Sequence, residues 1–168
     1  SRFNLAVSYS KAGKVDAAIA AYRTLLDQNS TVYEAQFNLA VLLDQAGKRA
    51  EAGEQFEKAL ALRPDDQSEL NLATFYLRGN EPDKAYPHLV RLAEKGLNSA
   101  ELYVALSDIE RARKNDVKSR EYVEKAIQID SNNTRLLRQL AASYYEEKNY
   151  PKPVPVLERL TKLEPGNA

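Results

Sequence analysis

Residues 3–13 read FNLAVSYSKAG and residues 37–47 read FNLAVLLDQAG, so nearly the same eleven residues occur twice, 34 positions apart. Seven of the eleven positions are identical. Residues 70–80, LNLATFYLRGN, form a third and more divergent copy. A fixed period of this length indicates a structure built from repeated supersecondary units.

Small residues mark equivalent places in five consecutive units. The first of them follows a leucine and recurs every 33 or 34 positions, as Ala6, Ala40, Ala73, Ser107 and Ala141. A second follows twelve positions later, as Ala18, Ala52, Ala85 and Ser119, with Pro153 in the last unit. Large apolar residues come four positions beyond that, as Tyr22, Phe56, Leu89, Val123 and Leu157. Within each unit, apolar and small residues that recur three or four positions apart predict two amphipathic helices.

A short breaker separates the two predicted helices of every unit, at residues 12–14, 46–48, 78–80, 114–116 and 148–150. Gly or Asn in these triplets suits the left-handed conformation that ends a helix. Helix, tight turn and helix within 34 residues resembles the tetratricopeptide repeat. The resemblance implies an all-α fold, a right-handed superhelical solenoid of helix-turn-helix repeats with about ten helices.

This interpretation makes residues 1–168 a single domain of five repeats, with approximate boundaries at 1–32, 33–66, 67–99, 100–133 and 134–168. The chain begins inside a repeat and ends without a polar capping helix, so we expect a fragment of a longer protein. We expect the small residues, their preceding leucines (Leu5, Leu39, Leu72, Leu106 and Leu140) and the large apolar residues to form the core. Stacked units bury one another's apolar faces, so none of these residues is assigned a functional role.

Two units depart from the common pattern. Glu110 stands where the other units have Tyr or Leu, so we expect a looser contact there or pairing with a nearby arginine. Pro153 and Pro155 predict that the last helix starts near Pro153, because proline is tolerated in the first turn of a helix. Pro87 has the repeat position of Pro155 and predicts a late start for the second helix of its own unit.

Composition argues against several functional classes. The 24 basic and 24 acidic residues balance, which disfavours nucleic acid as the main ligand. There is no cysteine for a disulfide or a thiolate metal site, and the single histidine, His88, is expected on a helix surface. No apolar run approaches the roughly 18 residues that span a bilayer. We predict no enzyme activity, catalytic residue, metal, cofactor or membrane insertion, and the Ala-rich helices favour a bacterial origin.

Residues beside the packing stripe of each first helix are expected to line a concave, peptide-binding groove. In the first three units these residues are Phe3, Asn4, Val7, Phe37, Asn38, Val41, Leu70, Asn71 and Thr74. In the last two units polar and basic residues take over: Arg111, Arg135, Arg138, Gln139 and Tyr145.

The recurring asparagines Asn4, Asn38 and Asn71 are the most specific feature of this predicted groove. An asparagine amide offers an acceptor and donors, as a peptide group does, so a row of them can pair with an extended peptide without reading its sequence. The row resembles the asparagine ladder in the repeat domain of O-linked N-acetylglucosamine transferase. The alternatives are that these amides bond locally and that the phenylalanines beside them form a packing layer.

A second resemblance, to co-chaperone repeat domains that grip a C-terminal carboxylate, fits poorly. Five positions grip the carboxylate in those domains. In this sequence they hold Phe3, Val7, Asn38, Gln67 and Asn71, and only one of the five matches. We therefore predict a scaffold that binds an extended segment of a protein partner. One alternative is a structural module that self-associates through the uncapped last repeat, around Val156 and Leu160. Another is the recruiting arm of an enzyme whose catalytic domain lies outside this sequence.

Overall fold

A computed structural model describes residues 1–146, 148 and 151–164. Ten α-helices lie within the described residues: α1 Arg2–Lys11, α2 Val15–Gln28, α3 Tyr33–Gln45, α4 Arg49–Leu62, α5 Asp66–Arg78, α6 Pro82–Glu94, α7 Ala100–Ala112, α8 Asp116–Ile129, α9 Thr134–Glu146 and α10 Pro153–Leu163. The all-α class, the helix pairs and the number of helices are as predicted.

The chain forms two compact units, Ser1–His88 (unit 1) and Leu89–Ala168 (unit 2), whose boundary falls inside α6. In unit 1, each of the helices from α1 to α4 packs against its successor, ending with α4 against α5. In unit 2, α7 packs on α8, α8 on α9 and α9 on α10. In these pairs the first helix of a repeat contacts its own second helix, and a second helix contacts the first helix of the next repeat.

The small residues that recur in the sequence are buried in unit 1. All six are alanines with no exposed surface: Ala6, Ala18, Ala40, Ala52, Ala73 and Ala85. In unit 2 the equivalent residues Ser107 and Ser119 are also buried, and their hydroxyl oxygens lie 3.0 Å apart in a hydrogen bond. A buried hydroxyl without a partner is costly, so each serine satisfies the other. The predicted burial of these positions is confirmed.

Aromatic rings fill the core of unit 1. The Phe56 ring lies 5.6 Å from Phe37 and 4.9 Å from Phe75, measured between ring centroids, and the Phe75 ring lies 5.3 Å from Tyr76. Gly53 lies against this cluster, and a Cβ atom built there would be in ordinary van der Waals contact with the Phe75 ring, at 3.4 Å. Phe56, a large apolar position of the sequence pattern, thus joins Phe37 and Phe75 in one packing layer across α3, α4 and α5.

The helix-turn-helix breakers adopt the left-handed conformation at the same position in every repeat. Gly13, Gly47 and Asn80 have φ values of 69°, 74° and 56°, as the sequence predicts. In the fourth repeat the prediction of Asn was wrong, because Lys114 takes this conformation with φ 60°. Asn115 instead caps α8, where its side chain accepts a hydrogen bond from the Lys118 backbone N–H. In the fifth repeat Lys148 takes the conformation with φ 56°, while Asn149 and Tyr150 lie outside the described residues.

The two prolines predicted to delay a helix behave differently. Helix α10 begins at Pro153, as predicted, with Pro155 in its first turn. The expectation for Pro87 was wrong, because α6 begins at Pro82 and carries Pro87 in its interior. Pro82 supplies the preset first-turn geometry, so α6 starts in register with the other second helices. Pro87 lacks the N–H that would otherwise bond to the Asp83 carbonyl.

The irregular residue of the fourth repeat is buried. Glu110 is only 2% exposed, and its Oε1 lies 3.9 Å from Nη1 of Arg113. The expected pairing with a nearby arginine is therefore present. A buried carboxylate needs such a partner, because transfer of an unpaired charge out of water is strongly unfavourable.

The expected core leucine of the first repeat lies at the surface. Leu5 is 49% exposed, whereas its four equivalents, Leu39, Leu72, Leu106 and Leu140, are at most 6% exposed. Each of those four belongs to a helix that follows another repeat. The repeat position alone does not bury a residue, since the covering surface comes from the neighbouring repeat.

Candidate peptide-binding surfaces

All fourteen residues predicted to line the groove lie on the first helices of their repeats, and none of them is buried. The nine residues from the first three repeats belong to unit 1 and are called the unit 1 row: Phe3, Asn4, Val7, Phe37, Asn38, Val41, Leu70, Asn71 and Thr74. The other five belong to unit 2: Arg111, Arg135, Arg138, Gln139 and Tyr145. The predicted residues thus form two sets, one in each unit.

The asparagines of the unit 1 row differ in their hydrogen bonds. Asn38 Nδ2 donates to the Tyr22 hydroxyl at 3.1 Å, and Asn71 Oδ1 accepts from Gln67 Nε2 at 3.0 Å. Asn4 is exposed, and its side chain has no hydrogen-bond partner among the described residues. Two amides therefore bond within the protein, yet the Asn38 carbonyl oxygen and the Asn71 amino group remain available.

Tyr22 is the buried anchor for Asn38. It is 1% exposed, and burial raises the pKa of its hydroxyl, while the hydrogen bond from Asn38 acts in the opposite direction. The hydroxyl therefore stays protonated and neutral at physiological pH. It holds the Asn38 amide against the second helix of the preceding repeat, which fixes the orientation of this member of the row.

The phenylalanines of the unit 1 row are part of the core layer. Phe3 meets Tyr22 edge to face at a centroid distance of 5.9 Å, and Phe37 meets Phe56 in the same way at 5.6 Å. Phe37 also stacks on Tyr33 at 6.1 Å. Such aromatic pairs contribute roughly 0.5–1.5 kcal/mol beyond their buried area. Both phenylalanines are only half-buried, so they pack inward and still offer an apolar surface.

Charged contacts that the sequence did not predict flank the unit 1 row. Asp44 accepts hydrogen bonds from Arg49 at 2.7 Å and from Arg78 at 2.9 Å, although Arg78 is 34 residues away. The Arg63 guanidinium lies 3.6 Å from the centroid of the Tyr33 ring and donates to Glu34 at 2.7 Å. Tyr33 and Arg63 carry no repeated spacing that could have identified them.

In unit 2, a cleft of about 400 Å³ lies between α8 and α9, with the end of α7 on its border. Arg111, Arg138 and Gln139 from the predicted set line it, whereas Arg135 and Tyr145 do not. Sequence reasoning missed Arg120, which also lines the cleft. Its repeat position holds Ile19, Gly53 and Tyr86 in the first three units, so no pattern marks it as a surface cation.

Polar side chains connect the wall of this cleft to the core. Gln139 Nε2 donates to the Ser107 hydroxyl at 3.3 Å, and Ser107 is bonded to Ser119. Arg120 Nη1 donates to the Ser143 hydroxyl at 3.5 Å. The cleft also contains Ser119 and Ser143 in its lining. Its surface is therefore suited to a polar or charged group.

Two of the cleft arginines hold carboxylates of this chain. Arg111 Nη2 donates to Asp108 at 2.7 Å, and Arg138 Nη2 donates to Glu164. The side chains of Arg111 and Arg138 are 54% and 57% exposed. Exposed ion pairs of this kind contribute only about 0–1 kcal/mol, so these contacts are exchangeable.

The expectation for the single histidine was wrong. His88 is half-buried, with Nδ1 3.0 Å from Oε1 of Glu69, and its ring stacks on Tyr76 at a centroid distance of 6.2 Å. Glu69 is 3% exposed, so the histidine supplies a polar partner to a buried carboxylate. Among the described residues, no group of three or more His, Cys, Asp or Glu side chains could hold a metal ion.

Within the described ranges, no helix combines the length and the apolar character needed to cross a membrane.

Comparisons with known proteins agree with the repeat architecture. Residues 3–67 match the family model described as tetratricopeptide repeat. None of the curated protein sequences matches the chain.

Solved structures share the fold along the whole chain. MamA AMB-1 superposes with a TM-score of 0.74 at 18% identity, covering 99% of this chain and 92% of that chain. YrrB, a TPR protein with an unusual peptide-binding site, superposes with a TM-score of 0.71 at 19% identity, covering 99% and 86%. MamA from Desulfovibrio magneticus RS-1 gives 0.69 at 17% identity, covering 99% and 94%. Identities this low indicate a shared fold only.

Proposed function

We propose that this chain, a tetratricopeptide-repeat protein and a protein-interaction scaffold, binds an extended peptide of its partner along the unit 1 row. The ligand would run across α1, α3 and α5. Its backbone groups would pair with the asparagine amides, and its apolar side chains would rest on Phe3, Phe37 and Leu70. An extended chain exposes N–H and C=O groups along its edges, which is what a row of amides can bond.

One observation carries this proposal: each asparagine of the row keeps hydrogen-bonding groups that the protein does not use. Asn4 offers its whole amide, Asn38 its carbonyl oxygen and Asn71 its amino group. Local bonding therefore does not exhaust the row. The bonds to Tyr22 and Gln67 restrict the two inner amides, which lowers the entropy lost when a ligand binds.

The likeness to YrrB supports the same class of ligand. That protein has this fold and a peptide-binding site. The assignment of a peptide to the present chain rests on its own side chains, because an identity of 19% carries only the fold.

A peptide-library selection on the full chain, followed by isothermal titration of the selected peptide, tests the proposal. Asn4→Ala should weaken binding by roughly fivefold or more, because it removes a neutral hydrogen bond of about 1 kcal/mol without disturbing any bond within the protein. Asn98→Ala, at an exposed loop position of unit 2, is the matched control and should bind as wild type does. Equal affinities for wild type and Asn4→Ala would contradict the proposal.

A second candidate function is assembly through the terminal repeats. It is favoured by Val154 on α10, an apolar side chain that is 50% exposed. Leu160 lies six residues later on the same helix and is partly buried. Sedimentation velocity over a range of concentrations, with a Leu160→Glu variant, distinguishes the candidates. Association of wild type that the variant abolishes supports assembly, and a monomer at every concentration leaves the unit 1 row as the functional surface.

A further inference from the structure

We propose that Asn29 is a glycosylation site, at which a transferase attaches a sugar from a diphosphate-activated donor to the side-chain nitrogen. Residues 29–31 read NST and match the acceptor motif Asn-X-Ser/Thr, in which the middle residue is not proline. The three residues lie in the loop between α2 and α3, and all three are exposed. The site lies outside the unit 1 row, and the proposal does not depend on peptide binding.

Hydrogen bonds within the loop couple the third residue of the motif to the first. Thr31 donates twice to Asn29 Oδ1, from its hydroxyl at 2.7 Å and from its backbone N–H at 3.1 Å. Both bonds draw electron density towards the amide oxygen, which makes the N–H groups of the same amide more acidic. The motif requires a hydroxyl at its third position, and here that hydroxyl already contacts the acceptor amide.

The nitrogen that would carry the sugar is available. Asn29 Nδ2 has no hydrogen-bond partner among the residues that the structure describes. Asn29 directly follows the last residue of α2 and has extended backbone angles, with φ −147° and ψ 95°, so it is not part of the helix. A bulky polar group is accommodated most easily at such an exposed loop position.

A buried side chain holds the loop in this conformation. Gln36 on α3 is only 4% exposed, and its Nε2 donates to the carbonyl oxygen of Ser30 at 3.2 Å. This bond fixes the middle residue of the motif against α3. The turn is therefore formed before a transferase binds, which lowers the entropy lost on binding.

A second copy of the motif has a different local structure. Residues 132–134 read NNT, and Asn132 Oδ1 accepts a hydrogen bond from Arg159 at 3.1 Å. Thr134 is the first residue of α9, and Asn133 Oδ1 accepts from the Leu136 backbone N–H at 3.2 Å, which caps that helix. The first turn of α9 would have to open before the threonine could take part. The structure thus distinguishes two sites that the motif alone makes equal.

The proposed reaction forms one bond and breaks one. Asn29 Nδ2 attacks the anomeric carbon of the donor, and the bond from that carbon to the diphosphate oxygen breaks. The diphosphate leaves with the electron pair of that bond, and the amide proton passes to a base of the transferase. The asparagine becomes a secondary amide, and no oxidant or reductant takes part.

The test is intact-mass spectrometry with peptide mapping of the folded full chain, after incubation with a soluble asparagine glycosyltransferase and a uridine-diphosphate hexose. A parallel reaction supplies the sugar as a lipid diphosphate with its membrane transferase, so the two reactions distinguish the sources of the donor. Asn29 should be modified at least about tenfold faster than Asn132, a barrier difference of about 1.4 kcal/mol. Synthetic peptides of residues 25–35 and 128–138 should react at similar rates, because neither keeps the fold.

Variants of the two threonines provide matched controls. Thr31→Val removes the hydroxyl at nearly constant shape and should abolish modification of Asn29, whereas Thr31→Ser should retain it. Thr134→Val makes the same change in the second motif and should leave modification of Asn29 unchanged. Circular dichroism of each variant verifies its fold.

Three results would overturn the proposal: neither donor modifies Asn29, the folded chain is modified equally at Asn29 and Asn132, or the two peptides show the same preference as the folded chain. Asn29→Gln should bind the selected peptide of the unit 1 row as wild type does. Failure of the glycosylation proposal is therefore distinguishable from failure of the peptide-binding proposal.

Discussion

In unit 1 the small repeat positions are alanines and a cluster of aromatic rings fills the core, whereas in unit 2 helices α7 and α8 meet at two serines and the large apolar residue of α8 is Val123. The surfaces of the two units also differ in polarity. Unit 1 presents amides beside apolar side chains, and unit 2 presents arginines beside hydroxyl groups. One repeat backbone therefore supports two different interiors and two different surface chemistries.

The largest expected difference between the two units lies at the large apolar position of the second helix, which holds Phe56 in unit 1 and Val123 in unit 2. Phe56→Ala should lower the free energy of unfolding by about 3–5 kcal/mol, because it removes a buried ring that contacts both Phe37 and Phe75. Val123→Ala should cost less, about 1–3 kcal/mol, since a smaller side chain leaves a smaller cavity. Urea unfolding followed by circular dichroism measures both losses. Equal losses would mean that the aromatic cluster gives unit 1 no extra stability.

The serine pair of unit 2 offers a sharper test. Ser107→Ala leaves the buried Ser119 hydroxyl without its partner and removes the acceptor of Gln139, so it should cost about 1–3 kcal/mol. The double variant Ser107→Ala/Ser119→Ala recreates the alanine pair of unit 1 and should be less destabilised than the sum of the single variants. A double-mutant cycle by urea unfolding gives the coupling energy. Additive losses would show that the two hydroxyls act independently.

The two units share one contact, in which a tyrosine hydroxyl links adjacent repeats. Tyr76 donates to Glu57 and Tyr144 donates to Glu124, each at 2.5 Å and at the same repeat positions. Tyr76→Phe should lower stability by about 1–2 kcal/mol at neutral pH, since the bond is made to a charged acceptor. Tyr144→Phe should behave similarly. A large difference between the two stability losses would show that the shared contact stabilises the two units unequally.

The effect of Tyr76 should also depend on pH. Burial, and then the hydrogen bond to Glu57, raise the pKa of its hydroxyl well above the ordinary value. Because the folded state holds this proton more tightly than the unfolded state, the contribution is complete below the unfolded tyrosine pKa of about 10 and declines above it. The stability difference between wild type and Tyr76→Phe should therefore shrink as the pH rises beyond that value. A constant difference would contradict the assignment.

The features predictable from the sequence are those that the period fixes. Helix pairs, alanine contacts and the surface position of residues such as Asn38 and Arg138 follow from spacing, because each repeat uses the same backbone. Contacts between long side chains were not predictable. The bond between Arg138 and Glu164 joins residues 26 positions apart and depends on their side-chain conformations, which no pattern specifies.

Two errors have a related cause. Lys114 was overlooked because its left-handed conformation costs a lysine only about 1–2 kcal/mol, which the packing of α7 on α8 can offset. The prediction for Pro87 was wrong because α6 begins at Pro82, five residues before it. In both places the tertiary structure outweighed a local preference.

The smallest expected effect separates structural from ligand-binding roles within the unit 1 row itself. Asn38→Ala should cost about 1 kcal/mol of stability, because it breaks the bond to the Tyr22 hydroxyl, whereas Asn4→Ala should change stability by less than about 0.5 kcal/mol. Thermal unfolding of the two variants beside wild type measures the difference. If both variants weaken peptide binding while only Asn38→Ala lowers stability, the loss of affinity cannot be ascribed to a damaged fold. A destabilised Asn4→Ala would instead place Asn4 among the packing residues and remove the clearest evidence for a ligand along the row.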